Sequence, residues 1–326
     1  MNLNRRAMLI GSLAVAPALA AEPLVEPRIS IAPQSIVFPS DTDPDIKRFN
    51  NPQAVYAPVG APRGELFVLL PGTHGARTNM RRLMTNAALV GYHVVEVMYN
   101  DDVPAEVCSE DSDPSAFAQF RWALIEGGSA PHLDGDVPKA EGIENRLVKL
   151  LQHLQTHDAD GGWGQFLQGS DPAWGKIAVG GMSQGGGHAA LIATRYAVAR
   201  VLCFGAPKDY SRRLSAPAAW YQTSVTPAAR YFAFNNVRDH QGCSPQQQIA
   251  NLEALGITQL AGVAVVDDSA PPYGNSHALF TKWTGGRAEI TSTEAHTSVT
   301  RDSLLADDGT PLFRPVWRYM LEAPTA

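Results

Sequence analysis

The run Gly181-Met182-Ser183-Gln184-Gly185 sets one serine between two glycines, each two residues away. The apolar stretch Lys176-Ile177-Ala178-Val179-Gly180 leads into it, and a helix-compatible stretch from Gly186 to Ala197 leads out. The serine therefore stands where a strand turns sharply into a helix, on a bend so tight that side chains at 181 and 185 would collide. Gly186 and Gly187 let that helix approach the sheet closely, with the positive end of its dipole near Ser183. A serine hydroxyl becomes a nucleophile only when a base takes its proton and an acid orients the base, so the chemistry to look for is acyl transfer.

On a strand-turn-helix scaffold the acid follows a later strand and the histidine the strand after that. The apolar run Tyr231–Phe234 ends in Asn235-Asn236-Val237-Arg238-Asp239-His240, which makes Asp239 the first carboxylate after a strand. Two histidines compete for the role of base. His277 lies about ten residues beyond the run Val263–Val266, within reach of a loop that folds back over the sheet edge, and is the first choice. His296 is the alternative, if 278–293 form a hairpin turning at Gly285-Gly286. His188 and His240 read as supporting residues. The developing oxyanion needs two backbone N–H donors. Gln184, directly after the nucleophile, supplies one, and Thr73 in the loop Pro71-Gly72-Thr73-His74-Gly75 supplies the other. His74 has no His, Asp or Glu companions at ligand spacing, so no metal is expected.

The elements that must hold these residues alternate along the chain. Strands are expected at Leu66–Leu70, His93–Met98, Ile177–Val179, Val201–Phe204, Tyr231–Phe234 and Val263–Val266. One or two antiparallel strands are expected earlier, around Ile36 and Val55. Helices are expected at Asn79–Leu89 behind Thr78 as N-cap, at Ile143–Leu154, at Pro245–Leu255 and at Val316–Leu321. Ile143, Leu147, Leu150, Leu151 and Leu154 share one helical face. Short apolar strands alternating with helices specify an α/β fold, a mostly parallel sheet covered on both faces. Three stretches break the rhythm as insertions: 101–142, 157–175 with Trp163 and Trp174, and 206–229 with Trp220 and Tyr221. Such insertions usually shape a cleft, and Trp163, Trp220, Tyr221 and Tyr273 are candidates to line it.

Taken together these residues resemble the α/β-hydrolase family over roughly residues 60–325. The resemblance rests on the Pro71–Gly75 loop, the Gly181–Gly185 elbow and the chain order Ser183, Asp239, histidine. It implies an eight-stranded, mostly parallel sheet, no cofactor, and ester hydrolysis through an acyl-serine intermediate. The run Gly-Met-Ser-Gln-Gly-Gly-Gly-His is similar to elbows of exported bacterial esterases, lipases and polyester hydrolases. The loop departs from many members in having Pro71-Gly72 where they have His-Gly. The expected partner is a small-molecule or polymeric ester. A peptidase or amidase on the same fold, and a binding module without catalysis, are the alternatives.

The chain has 326 residues, 44% of them hydrophobic, and a formal charge of −6. With no basic run longer than a pair, it is a poor ligand for nucleic acid or an anionic membrane. Residues 1–20 read as an export signal resembling the twin-arginine type: Arg5-Arg6, an apolar run from Ala7 to Val15, and a small-residue cleavage site after Ala20. That leaves 21–326 as one domain, exported to the periplasm or beyond, with no membrane anchor. In an oxidising compartment Cys108 and Cys243, both in polar sequence, could pair. Cys203, inside Val201–Phe204, reads as a small buried hydrophobe.

Overall fold

The computed structural model describes residues 34–75 and 80–325. The expected export signal and the Thr78 cap lie outside the described residues.

Among the described residues nine strands form the main sheet: β1 (Ser35–Val37), β2 (Gln53–Tyr56), β3 (Leu66–Leu70), β4 (His93–Glu96), β5 (Ile177–Met182), β6 (Arg200–Phe204), β7 (Tyr231–Asn236), β8 (Val263–Val265) and β9 (Ala278–Thr281). Their order across the sheet is β1-β2-β4-β3-β5-β6-β7-β9-β8. β2 runs antiparallel to both β1 and β4, and every other neighbouring pair is parallel. The sheet is thus mostly parallel, as expected, with one strand more than the eight anticipated. The additional strand is β9. Only four residues long, it slots between β7 and β8, so β8 becomes the sheet edge with Val263 exposed. A four-residue apolar run carries too little periodicity to separate a strand from the first arm of a hairpin.

The principal helices are α1 (Arg81–Leu89), α2 (Ala116–Glu126), α3 (Ile143–His157), α4 (Gln184–Arg195), α5 (Pro245–Ala254), α6 (Ser292–Ser298) and α7 (Arg314–Glu322). They divide between two cores, one on each face, because side chains along a strand point alternately to either side. Leu66, Val68 and Leu70 of β3 join one core with α2, α3 and α4, while Phe67 and Leu69 join the other with α1 and α7. The predicted apolar face of α3 is buried along its whole length, at Ile143, Leu147, Leu150, Leu151 and Leu154. Each such side chain stabilises the fold by roughly 1.5–3 kcal/mol.

The insertion at 101–142 is not irregular throughout. It contains α2, which buries Phe117, Phe120 and Leu124 against the first core. Its acidic and proline-rich flanks mask this helix in the sequence. The aromatic residues of the insertions pack internally. Trp163 donates its indole N–H to Asp158 at 2.8 Å and stands edge-on to His93, and Trp174 stacks on Tyr196.

Candidate active site

Ser183 sits between β5 and α4 with φ 53° and ψ −118°, left-handed backbone that a non-glycine residue adopts only under strain. Its neighbours enforce the bend. The Ser183 N–H donates to Phe204 O of β6 at 2.8 Å. A Cβ at residue 181 would stand 2.4 Å from the Gly185 carbonyl carbon, and one at 185 would stand 2.2 Å from Leu70 O. Only hydrogen fits at either place. Gly186 likewise faces Ala206 at a separation that admits no Cβ, whereas the room left by Gly187 is filled by the Arg121 guanidinium.

Asp239 follows β7 and is fully buried. Its Oδ1 accepts from the Gln241 N–H at 3.0 Å. Its Oδ2 accepts from His296 Nδ1 at 2.7 Å and from Lys208 Nζ at 2.6 Å. Burial alone would raise the Asp239 carboxyl, but the hydrogen bond from His296 and the charge of Lys208 outweigh it and hold the group below the usual carboxylate range. His296 rides on α6, which a reciprocal capping box between Thr291 and Glu294 starts at a fixed point. Burial lowers the His296 imidazole below its ordinary value, Asp239 opposes that shift, and the Lys208 charge adds to it. The ring lies against Gly205, where a Cβ would come within 3.0 Å of Nδ1 and Cε1. Gly205 follows directly on Phe204, the residue that anchors the Ser183 backbone, so serine and histidine open onto one cavity of about 960 Å³.

The opposite wall is the loop after β3. Gly72 approaches so closely that a Cβ there would stand 3.1 Å from Ser183 Cβ. Asp101 fixes the loop from behind: its O accepts from His74 N–H at 3.1 Å and its Oδ2 from Gly75 N–H at 2.8 Å. Gln184 Oε1 accepts from Thr73 Oγ1 at 3.1 Å and from Ala105 N–H at 2.8 Å. The two residues expected to face an oxyanion are therefore tied to each other. Gln184 opens α4, where first-turn N–H groups have no partner within the helix, and among the described residues the Thr73 N–H meets no protein acceptor.

A strained serine between a parallel strand and a helix, followed in chain order by an acid and a histidine that meet after later strands, decides the architecture. The fold is that of the α/β hydrolases. No protein-family model matches the chain, and no curated protein matches it. Solved structures similar to it include an α/β serine hydrolase homologue from Coxiella burnetii, 13% identical over 77% of this chain and 89% of that one, with a TM-score of 0.40. An esterase from Thermogutta terrifontis with bound propionate is 14% identical over 81% and 90%, also at 0.40. A protein from Thermus thermophilus is 16% identical over 84% and 95%, at 0.38.

Within this hydrolase fold the two candidate histidines separate completely. His277 does not meet Asp239. It immediately precedes β9, so it lies at the N-terminal end of the parallel strands, whereas Ser183 and Asp239 follow the C-terminal ends of β5 and β7. Its ring stacks on Phe232 at 4.0 Å, Nδ1 bonds Tyr231 O at 3.0 Å, and it borders a separate cleft. The place beside Asp239 expected of it is taken by His296, brought by a helix and not by a hairpin.

Cys108 and Cys243 do not pair: both are buried with free thiols, as is Cys203. Burial pushes each thiol up to about 12. Trp163, Trp220, Tyr221 and Tyr273 do not line the cavity. Trp220 and Tyr221 instead hold Asp209, through the indole N–H at 2.9 Å and a hydroxyl that accepts from Asp209 N–H at 2.9 Å. Asp209 in turn takes a two-pronged ion pair from Arg121, whose Nη1 donates to Gln184 O at 2.9 Å. His188, fully buried, faces the same guanidinium, and His240 is exposed beside α6. Lys208, Arg121, Asp209 and Asp101 carry no sequence motif; their shared signal is only that each follows a strand or lies in an insertion. Among the described residues no group of His, Cys, Asp and Glu is placed to hold a metal ion, and no helix is long and apolar enough to cross a membrane.

Proposed function

We propose that the protein is an exported serine hydrolase that cleaves carboxylic esters through an acyl-serine intermediate. The observation that carries this reading is the buried Asp239–His296 pair opening onto the cavity that also holds the strained Ser183. His296 takes the Ser183 proton while Oγ attacks the ester carbonyl. The Thr73 and Gln184 N–H groups bind the oxygen as it becomes an anion. Collapse of the tetrahedral species expels the alcohol, which receives the proton from His296. Water, deprotonated by the same imidazole, then releases the acid and restores the serine. Asp239 holds the ring with Nδ1 protonated, so that Nε2 is free to act as base.

The test is labelling of the purified chain with a fluorophosphonate, followed by peptide mapping, beside Ser183→Ala and His296→Ala. Label on Ser183, lost in both variants along with ester turnover, is the expected result. A folded wild-type chain that takes no label and turns over no ester overturns the proposal. Export rests on the Arg5-Arg6 segment and is tested by locating the mature N-terminus, expected after Ala20.

A further inference from the structure

The cavity is charged, and its charges pair off with a single exception. Glu106 pairs with Arg212, Arg121 with Asp209, and Lys208 and His296 both with Asp239. Among the described residues Arg301 alone of the lining carboxylates and guanidinium or ammonium groups has no oppositely charged partner. It is half-buried, and its Nη2 leans on the hydroxyl of Thr297, one turn earlier on the same wall. That wall carries Thr293, Thr297, Thr300 and Ser303 beside Arg301, continues directly from the helix that bears His296, and has no aromatic residue. A positive charge left unbalanced among hydroxyls, in a cleft partly closed to water, attracts an anion more strongly than it would at an open surface. Its planar fork matches a carboxylate in two parallel hydrogen bonds. One guanidinium balances one negative charge, so a carboxylate fits better than a phosphate dianion.

We infer that the site selects esters bearing a free carboxylate, with Arg301 as the residue that determines this specificity. The inference rests on the serine-hydrolase reading above and narrows it to a substrate class.

Two matched pairs test it in the full chain: monoethyl succinate against ethyl valerate, with the charge on the acyl side, and 4-acetoxybenzoate against 4-acetoxybenzamide, with the charge on the leaving group. The expected result is a kcat/KM ratio favouring the carboxylated member of at least one pair by about tenfold, mostly through KM. The pair that responds names the side of the ester that meets Arg301. Arg301→Gln should bring that ratio close to one, and Arg301→Lys should retain part of it, with melting temperatures confirming that both variants fold. Absence of a carboxylate preference in both pairs, or an unchanged ratio in Arg301→Gln, overturns the inference while fluorophosphonate labelling of Ser183 still upholds the hydrolase reading. A folded wild-type chain that takes no label and turns over no ester overturns both.

Discussion

Lys208 Nζ lies 2.6 Å from Asp239 Oδ2, the same oxygen that accepts from His296 Nδ1 at 2.7 Å. One carboxylate oxygen thus serves an ammonium and an imidazole together, and the three groups form a buried chain of charge. The ammonium also donates to Gln241 O at 2.7 Å, in the loop that carries Asp239. This triple contact sets the working pH of the proposed base. A second positive charge at His296 is disfavoured by burial and by Lys208, and favoured by Asp239; the net direction is down. The imidazole therefore remains neutral and basic to lower pH than an ordinary histidine, whose pKa is about 6.5. The acidic limb of kcat/KM is expected below that value. Lys208→Met removes the neighbouring cation, makes protonation of His296 easier, and should move the limb upward. A pH–rate profile of the two proteins checks the direction; an unmoved or lowered limb contradicts it.

Ser183 offers a second check, because its strain and its chemistry can be read apart. Ser183→Ala should lower kcat by about 10⁴-fold or more while keeping the strained backbone of a residue with Cβ. Ser183→Gly should be equally inactive, yet more stable than Ser183→Ala, since glycine adopts φ 53° without the steric cost of Cβ. Thermal melts of both variants make the comparison. A glycine variant that melts below the alanine variant would show that the turn stores no such strain.

The two histidines should behave in opposite ways. His296→Ala is expected to lose turnover with its melting temperature little changed. His277→Ala should keep wild-type kcat/KM but lose about 1–3 kcal/mol, from its stacking on Phe232 and its bond to Tyr231 O. Denaturant melts paired with initial rates separate these outcomes.

Arg121 links the elbow to Asp209, with both side chains almost wholly buried. Arg121→Leu strands the carboxylate of Asp209 without a cation and frees Gln184 O, and should cost about 3–5 kcal/mol in stability. Arg121→Leu combined with Asp209→Leu should recover part of that loss. Chemical unfolding of the single and double variants measures it, and a double variant no more stable than the single would show that the pair is not what Arg121 contributes.

Most of the sheet is legible in the chain because doubly buried strands are short apolar runs bounded by turn residues, as Leu66–Leu70 and Tyr231–Phe234 are. Helix α3 is legible because its apolar residues recur at helical spacing over three turns. The four residues of β9 offer neither signal, and their omission is what exchanged the histidines. With β9 unseen, His277 lies after the last strand; with it present, His277 lies before one, at the wrong end of the sheet. The disulfide failed for a related reason. Polar sequence around Cys108 and Cys243 suggested exposed loops, yet both thiols are buried, Cys108 in the first core against the start of α2.

The sequence by itself singled out Ser183 as the proposed nucleophile. A serine between glycines at 181 and 185, after a strand and before a helix, has one local geometry, because the clash of a Cβ at 181 with Gly185 is decided within a few residues of Ser183. It also singled out the proposed acid, since Asp239 is the first carboxylate past an unmistakable strand. Only the tertiary structure decided which histidine meets that acid, which cation stands beside it, and which charge in the cavity is left unbalanced. Those choices bring together residues that follow β6, β7 and β9, separated by dozens of positions along the chain. Contacts between loop residues so far apart have no period in sequence; they exist only once strand order and register have been fixed by burying the sheet on both faces.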